Sequence, residues 1–166
     1  MNILWAPWRI GYVTAPKTDG CFLCDAHAAG TDRERFILHR SRRVYVILNT
    51  YPYNTGHLMV APFRHLSTLE DLDGEERIDL LNTAALAVSV LQAGLSPNGF
   101  NLGLNLGRAA GAGLEGHLHV HVVPRWVGDV NFMPVLGDAK VIPEHLEATY
   151  DRLATALTTL RAAPPP

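Results

Sequence analysis

Three histidines that alternate with apolar residues constrain the fold of this chain more than any other feature. They lie in segment 116–126, which reads GHLHVHVVPRW. Strict alternation of polar and apolar residues predicts a β-strand, in which side chains two positions apart lie on the same face. We therefore expect His117, His119 and His121 on one face, roughly 6.5–7 Å apart, with the apolar residues between them in a core. An imidazole can act as nucleophile, proton carrier or metal ligand near neutral pH, so this face is the first candidate for a functional site.

The rest of the chain predicts a single domain of the α+β class. Short apolar runs at 35–38, 44–48, 57–61 and 100–106 predict further strands. A long helix is expected after Asp73 and a second over 146–160, because apolar residues recur there every three or four positions. In the first helix the stripe expected to face the core is Ile78, Leu81, Ala85, Val88, Leu91 and Leu95. The expected architecture is an antiparallel sheet packed by two main helices, with 1–20 as an irregular N-terminal arm, 21–162 as the domain and 163–166 as a tail.

Composition excludes several classes of protein. The chain has 166 residues, of which 48% are hydrophobic and 18% charged, as in soluble globular proteins. Its net charge of −2 and pI of about 6.4 provide no basic field that would attract nucleic acid. Polar residues interrupt the longest uncharged stretch, 80–107, and Pro7 and Arg9 interrupt the region where a signal peptide needs apolar residues. We expect a cytoplasmic protein that binds neither nucleic acid nor membranes.

The only two cysteines, Cys21 and Cys24, form a Cys-x-x-Cys pair. Such a pair is typical either of half a zinc site or of a redox couple. A redox couple is expected near a βαβ pattern, and none follows here. A closed zinc site needs four ligands, for which His65 and His117 are the further candidates.

A glycine-rich segment directly precedes the three histidines. It contains Gly107, Gly111 and Gly113, with Arg108 and Glu115 among them. Glycines allow the backbone to approach a ligand closely and to present N–H groups to an anion. Many such loops only reverse the chain, but its position beside three histidines predicts a phosphate-binding loop.

The motif His117-Leu-His119-Val-His121-Val-Val resembles the signature of the histidine-triad (HIT) family of nucleotide hydrolases and transferases. The resemblance extends to segment 49–62, to the cysteine pair and to residues 4–9, and so covers roughly residues 4–160. It implies a HIT-like fold and a reaction in which His119 attacks the α-phosphorus to give a nucleotidyl-imidazole. His121 would then stabilise charge on the phosphoryl oxygens. His117 would be either a zinc ligand or a further donor on the phosphate side.

The resemblance also implies residues that bind the nucleotide. Asn49 occupies a position at which a carboxylate or amide binds ribose hydroxyls, although an Asn that ends a strand is often only a turn residue. Asn105 matches a position whose amide contacts the α-phosphate. The family often has a hydroxyl residue near the leaving group just before the triad, and this chain has none at 112–116. Arg108 or Glu115 could take its place.

A zinc site is the cofactor that the resemblance implies. Its ligands would be Cys21, Cys24, His65 and His117, and a metal-free cysteine pair is the alternative. No acidic cluster of the kind that holds magnesium is evident in the sequence. His57, at the start of a predicted strand, is interpreted as structural.

Three hypotheses for function follow. The first is an enzyme that cleaves dinucleoside polyphosphates such as diadenosine tetraphosphate, with phosphate as the favoured acceptor and water as the alternative. The second is a hydrolase of nucleoside phosphoramidates or aminoacyl adenylates. The third is a zinc-stabilised nucleotide-binding module without turnover. Members of the family are commonly homodimers, and the Trp-rich arm is compatible with a homodimer.

Overall fold

The computed structural model describes residues 20–111, 113–129 and 144–162. The predicted tail and all but the last residue of the predicted arm lie outside these ranges, so the domain boundaries stay a prediction. The strands are β1 (Ile37–Arg40), β2 (Val44–Leu48), β3 (Leu58–Pro62), β4 (Gly99–Gly103) and β5 (Val120–Arg125). The helices are α1 (Phe22–Ala29), α2 (Gly74–Leu95) and α3 (Leu146–Ala162), and Arg108–Ala110 form a short 3₁₀ turn.

The five strands form one antiparallel sheet in the order β1-β2-β3-β5-β4. The expected α+β class, with two long helices on an antiparallel sheet, is therefore confirmed. β5 lies between β3 and β4, where His121 is the register partner of both Met59 and Gly103. The strand that carries His121 therefore has a hydrogen-bonded neighbour on each side.

The two faces of the sheet carry different cores. Helices α2 and α3 pack on the face to which Leu118, Val120 and Val122 point, as predicted. The opposite face carries a smaller apolar cluster beneath α1, made of Leu23, Ala26, Ile37, Tyr45, Ile47, Met59 and Ala61. Because side chains that face each other across an antiparallel ladder lie on the same side, His121 belongs to this second face with Met59.

Four predicted strands have different limits in the structure, among them 57–61, which becomes β3 (Leu58–Pro62), and 100–106, which becomes β4 (Gly99–Gly103). β5 begins at Val120, so His117 and His119 precede it. The pairing of β5 with β3 ends at the pair Val60–Val120. Before that point, the N–H of Leu118 donates to the carbonyl of Leu66 at 2.6 Å. β1 begins at Ile37 rather than at position 35, because a turn closes just before it.

Helix α2 begins where the sequence predicts, but it buries a different face. The Asp73 side chain accepts from the Glu76 N–H at 2.8 Å, and the Glu76 carboxylate accepts from the Asp73 N–H at 2.9 Å, which is a capping box. The predicted stripe is wrong at its start, because Ile78 and Leu81 are 64% and 72% exposed. The buried set is Glu76, Leu80, Thr83, Ala84, Ala87, Val90 and Leu91.

The difference between the predicted and the observed buried face of α2 involves a contact outside the helix. Apolar residues occur almost all around this helix, so periodicity alone fits more than one face. Arg64, two residues beyond β3, donates to both carboxylate oxygens of Glu76 at 2.7 and 2.6 Å and holds that side chain inward. Among the described residues, α2 is the one helix long and apolar enough to span a membrane by length and composition, and its inner side packs on the sheet and on α3.

Candidate active site and metal site

The hydrogen bonds of His119 set its tautomer. Its Nδ1 atom lies 2.8 Å from the carbonyl oxygen of His117, which can only accept, so Nδ1 carries the proton. In the neutral ring, Nε2 then has the lone pair, and the buried ring is held by its own backbone. This is the protonation state that a nucleophilic imidazole needs.

In His117 the two ring nitrogens have the reverse roles, with the proton on Nε2 and the lone pair on Nδ1. Its Nε2 lies 2.9 Å from the carbonyl oxygen of Pro62 and therefore donates to it. The unprotonated Nδ1 faces the sulfur atoms of Cys21 and Cys24 at 3.2 and 3.4 Å. Burial is the main cause that lowers the pKa of His117, which favours the neutral ring. A histidine that ligates a metal through one ring nitrogen is neutral and usually donates the N–H of its second ring nitrogen to a carbonyl or carboxylate.

Four potential ligands converge around Nδ1 of His117. The ligand atoms of Cys21, Cys24, His65 and His117 all lie within 4.8 Å of one another. His65 Nδ1 is 3.4 Å from the sulfur of Cys24, and a Cβ added at Gly116 would lie only 3.3 Å from His65 Nε2. Two thiols and two imidazoles are the donor set of tetrahedral zinc sites, so these residues fit such an ion.

Without a cation, the surroundings of the Cys24 thiol favour its protonated form. Burial, with a smaller contribution from Cys21, raises the pKa of Cys24 to about 11. A bound cation would reverse this effect, because it stabilises the thiolate.

His121 belongs to a chain of hydrogen bonds that begins at the backbone of Tyr53. The Tyr53 N–H donates to Nδ1 of His57 at 3.0 Å, so Nε2 of His57 carries the proton. That Nε2 lies 2.9 Å from Nδ1 of His121, which leaves the proton of His121 on its own Nε2. The amide nitrogen Nδ2 of Asn105 lies 3.3 Å from this Nε2. Because a donor cannot face an N–H group, we assign the Asn105 amide with its oxygen and nitrogen exchanged, so that the oxygen accepts from Nε2. His121 therefore presents an N–H group toward the end of β4.

His121 is neutral as well as oriented. Burial is the larger cause, and the neighbouring His119 the smaller one, that lowers the pKa of His121 to about 4. His121 can therefore stabilise charge as an N–H donor rather than as a cation.

The glycine-rich loop connects β4 to this site. Its 3₁₀ turn, Arg108–Ala110, is flanked by Gly107 and Gly111, which have φ of 76° and 81°. Arg108 pairs with Glu115 through Nε and Oε1 at 3.0 Å, and the Arg108 side chain is 90% exposed. The N–H groups of Ala110 and Gly111 donate to the carbonyls of Gly107 and Arg108 at 3.2 and 3.0 Å and close this turn.

Comparison with known proteins places this arrangement in a family. The model for the HIT domain matches residues 31–127, which include the triad and the strands around it. This chain belongs to the HIT domain family.

Relatives of this HIT protein agree in sequence and in fold. An AP-4-A phosphorylase of Mycobacterium tuberculosis (strain H37Rv) is 44% identical over 160 residues, which cover 92% of this chain and 82% of that protein. A bis(5′-adenosyl)-triphosphatase of Dictyostelium discoideum is 30% identical over 93 residues, covering 56% of this chain and 70% of that protein. The crystal structure of a Zn-bound histidine triad family protein from Mycobacterium smegmatis matches with a TM-score of 0.70 and 24% identity, over 86% of this chain and 96% of that one. The last comparison shows the fold alone.

The structure brings most of the predicted site residues of this HIT protein together. His119, His121 and Asn105 lie around one site, and His117 joins it to the predicted metal ligands. Asn49 is used within its own loop, because its amide nitrogen lies 3.2 Å from His57 Nδ1 and its oxygen accepts from the Tyr51 N–H at 2.9 Å. The ring of His117 turns toward Cys21, which packs against the apolar cluster on the face of the sheet that carries His121.

Sequence reasoning missed His57 and Tyr53 as parts of the site. His57 is fully buried, and its interpretation as structural with no named partner is incomplete, because it donates to His121. The Tyr53 ring lies 4.6 Å from His57 and 5.4 Å from His121, measured between ring centroids. The spacing of His57 and Met59 in the sequence was the available signal, since residues two apart in an extended segment lie on the same side and Met59 is the register partner of His121.

Proposed function

We propose that this chain is an enzyme that cleaves dinucleoside polyphosphates, such as diadenosine tetraphosphate, by transferring a nucleotidyl group to His119. The observation that carries the proposal is the tautomer of His119, whose Nδ1–H is tied to the His117 carbonyl and whose Nε2 keeps its lone pair. The names of the relatives from Mycobacterium tuberculosis and Dictyostelium discoideum support the substrate class.

The proposed reaction has two steps at one phosphorus atom. Nε2 of His119 forms a bond to the α-phosphorus, and the bond to the bridging oxygen breaks with its electron pair leaving on the polyphosphate. An oxygen of inorganic phosphate or water then attacks the same phosphorus, and the P–N bond breaks to return the pair to His119. The N–H of His121 and the N–H groups of residues 107–113 would stabilise the charge that grows on the phosphoryl oxygens.

Product analysis tests the reaction and its acceptor. Diadenosine tetraphosphate should give ADP and ATP by phosphorolysis, or AMP and ATP by hydrolysis. Adenosine 5′-phosphoramidate serves as the competing substrate, and faster turnover of that compound would favour the second hypothesis. Nucleotide binding without any turnover would favour the non-catalytic module.

We propose phosphate as the acceptor. The supporting features are the 44% identity to a protein named as a phosphorylase and the cation Arg108 beside the glycine-rich loop. Arg108→Ala should then raise the KM for phosphate more than the KM for the dinucleotide. Because Arg108 pairs with Glu115, Glu115→Gln is the matched variant and should lower the KM for phosphate by releasing the guanidinium. Dominant AMP at millimolar phosphate would make this chain a hydrolase.

We propose that Cys21, Cys24, His65 and His117 hold one structural zinc ion. The convergence of two thiols and two imidazoles supports this ion, whose chemistry there would be to fix the ligands and not to act on phosphorus. Elemental analysis of protein purified without chelator should show about one zinc per chain. Absence of metal together with an unchanged Tm after chelator treatment would reject the site.

We also propose that the chain is a cytoplasmic homodimer. Among the described residues, β4 pairs only with β5, and Leu102 on β4 is 49% exposed. An outer strand with apolar side chains favours pairing with a second copy. Sedimentation equilibrium should give twice the monomer mass of 18.2 kDa, and Leu102→Asp should shift it to the monomer.

A further inference from the structure

A cavity of about 340 Å³ lies beside the glycine-rich loop, on the side of the segment that connects β3 to α2. It is lined by Ser67, Thr68, Glu70, Leu106, Gly107 and Glu115. Neither the catalytic proposal nor the zinc proposal uses Ser67, Thr68 or Glu70. The cavity is within the size range of ligand-binding pockets.

The residues that line this cavity are close to the histidine site along the chain or through a backbone hydrogen bond. Ser67 follows Leu66, whose carbonyl accepts from the N–H of Leu118, the residue before His119. Gly107 is two residues beyond Asn105, whose amide lies 3.3 Å from Nε2 of His121. Glu115 is two residues before His117. The cavity walls are therefore continuous along the chain with the residues that hold His119 and His121.

The lining of the cavity favours a nucleoside over a phosphate group. Carboxylates repel phosphate, but they accept hydrogen bonds from ribose hydroxyls, as the acidic residue of dinucleotide-binding folds does. Glu115 is paired with Arg108, which leaves Glu70 for this role. Leu106 is 46% exposed and offers an apolar surface to a base.

We propose that this cavity binds the second nucleoside of the substrate, the one that leaves with the polyphosphate, and that Glu70 binds its ribose hydroxyls. The proposal rests on the proposed function and on the family resemblance, which assigns Asn49 to the ribose of the transferred nucleoside. Asn49 adjoins His57, and the cavity adjoins Gly107, so the two nucleoside positions lie on opposite sides of His121.

The test measures binding in the full-length His119→Ala protein, which cannot consume the ligand. Diadenosine tetraphosphate and adenosine 5′-tetraphosphate share the nucleotide and the phosphate chain and differ in the second nucleoside and in the terminal phosphate charge that it caps, so Glu70→Gln, which keeps the side-chain size, accompanies Glu70→Ala. We expect the first to bind about tenfold more tightly than the second, by isothermal titration calorimetry without added Mg²⁺ and without chelator, so that zinc bound at Cys21, Cys24, His65 and His117 is retained. Glu70→Ala should abolish this ratio, and Glu70→Gln should reduce it. Glu34→Ala, at an exposed glutamate near β1 on the opposite edge of the sheet, should leave the ratio unchanged.

The outcomes separate this proposal from the proposed function. A ratio that Glu70→Ala does not change would overturn the cavity as the second nucleoside site. An effect of Glu70→Ala that requires added Mg²⁺ would overturn it in favour of a cation site. If the wild-type protein turns over neither compound but Glu70→Ala abolishes the ratio, the catalytic proposal fails and the cavity proposal stands. If neither compound binds, both proposals fail.

Discussion

The Nε2 atom of His57 lies 2.9 Å from the Nδ1 atom of His121, and both rings are buried. His57 receives the Tyr53 N–H on its other nitrogen, so its only proton is the one that it donates to His121. A ring that is far from the triad in sequence thus determines which nitrogen of the last triad histidine carries a proton.

We predict that His57→Ala lowers kcat about tenfold to a hundredfold while KM changes little. Without its donor, His121 can place its proton on Nδ1 and lose the N–H that faces the substrate. His57→Gln should retain more activity, because its amide can still donate to Nδ1. The ¹⁵N shifts of the His121 ring report the tautomer directly, and His39→Ala, at the far edge of the sheet, is the control. Equal losses in the Ala and Gln variants with an unchanged His121 tautomer would contradict the role of His57.

The substitution His119→Ala should reduce turnover at least about a thousandfold and leave nucleotide affinity nearly unchanged. It removes the atom that forms the covalent bond, whereas His121→Ala removes only a donor and should be milder. Steady-state kinetics with diadenosine tetraphosphate, paired with calorimetry, separates the two effects. Near wild-type rates in His119→Ala would exclude the covalent mechanism.

The stability of the fold should fall with decreasing pH between about 6.5 and about 4. His121 has a pKa of about 4 in the folded chain and the ordinary value of 6.5 when unfolded, so within this window only the unfolded chain binds the proton. Its contribution to the free energy of unfolding is complete above pH 6.5 and decreases by at most about 3 kcal/mol as the pH falls to 4. Urea denaturation at several pH values measures the slope. His121→Gln should have a shallower slope in this window, and identical slopes would refute the assignment.

Removal of the Glu76 carboxylate should destabilise the protein by about 2 kcal/mol. Glu76 is buried, caps α2 and accepts from Arg64, and the hydrogen bonds from Arg64 are the largest cause that lowers its pKa to about 2. Glu76→Ala leaves the Arg64 guanidinium without that partner. Glu75→Ala, at an exposed neighbour in the same turn, is the matched control and should change stability by less than about 0.5 kcal/mol. Equal Tm values for the two variants would contradict this role.

A side chain at Gly56, which immediately precedes His57, should also be costly. Gly56 has a φ of 78°, and a Cβ there would lie 2.4 Å from Cδ1 of Leu95 on α2. Gly30 has a similar φ of 68° but no atom within 4 Å of its added Cβ. Gly56→Ala should therefore lower the free energy of unfolding by more than Gly30→Ala, with about 1 kcal/mol of backbone strain common to both. An equal loss would show that the contact with Leu95 relaxes freely.

The sequence by itself determined the class of the fold and the identity of the chemistry-bearing residues. Alternation placed Leu118, Val120 and Val122 in the core, because a strand has a period of two and one face of this sheet is covered by helices. The Cys-x-x-Cys pair predicted at most half of a metal site, and the family resemblance implied His65 and His117 as the other ligands, which the chain brings together from segments far apart in sequence. Asp73 and Glu76 marked the start of α2, since a capping box depends on neighbours three residues apart.

Only the tertiary structure decided how those residues are divided between tasks. His117 and His119 are two residues apart, yet one ring turns to the cysteines and the other to its own backbone, because β3 stops pairing before it reaches them. The face that α2 buries depends on Arg64, and the tautomer of His121 depends on His57. These outcomes rest on contacts between residues that are distant in sequence, and the local periods of a helix or strand carry no information about them.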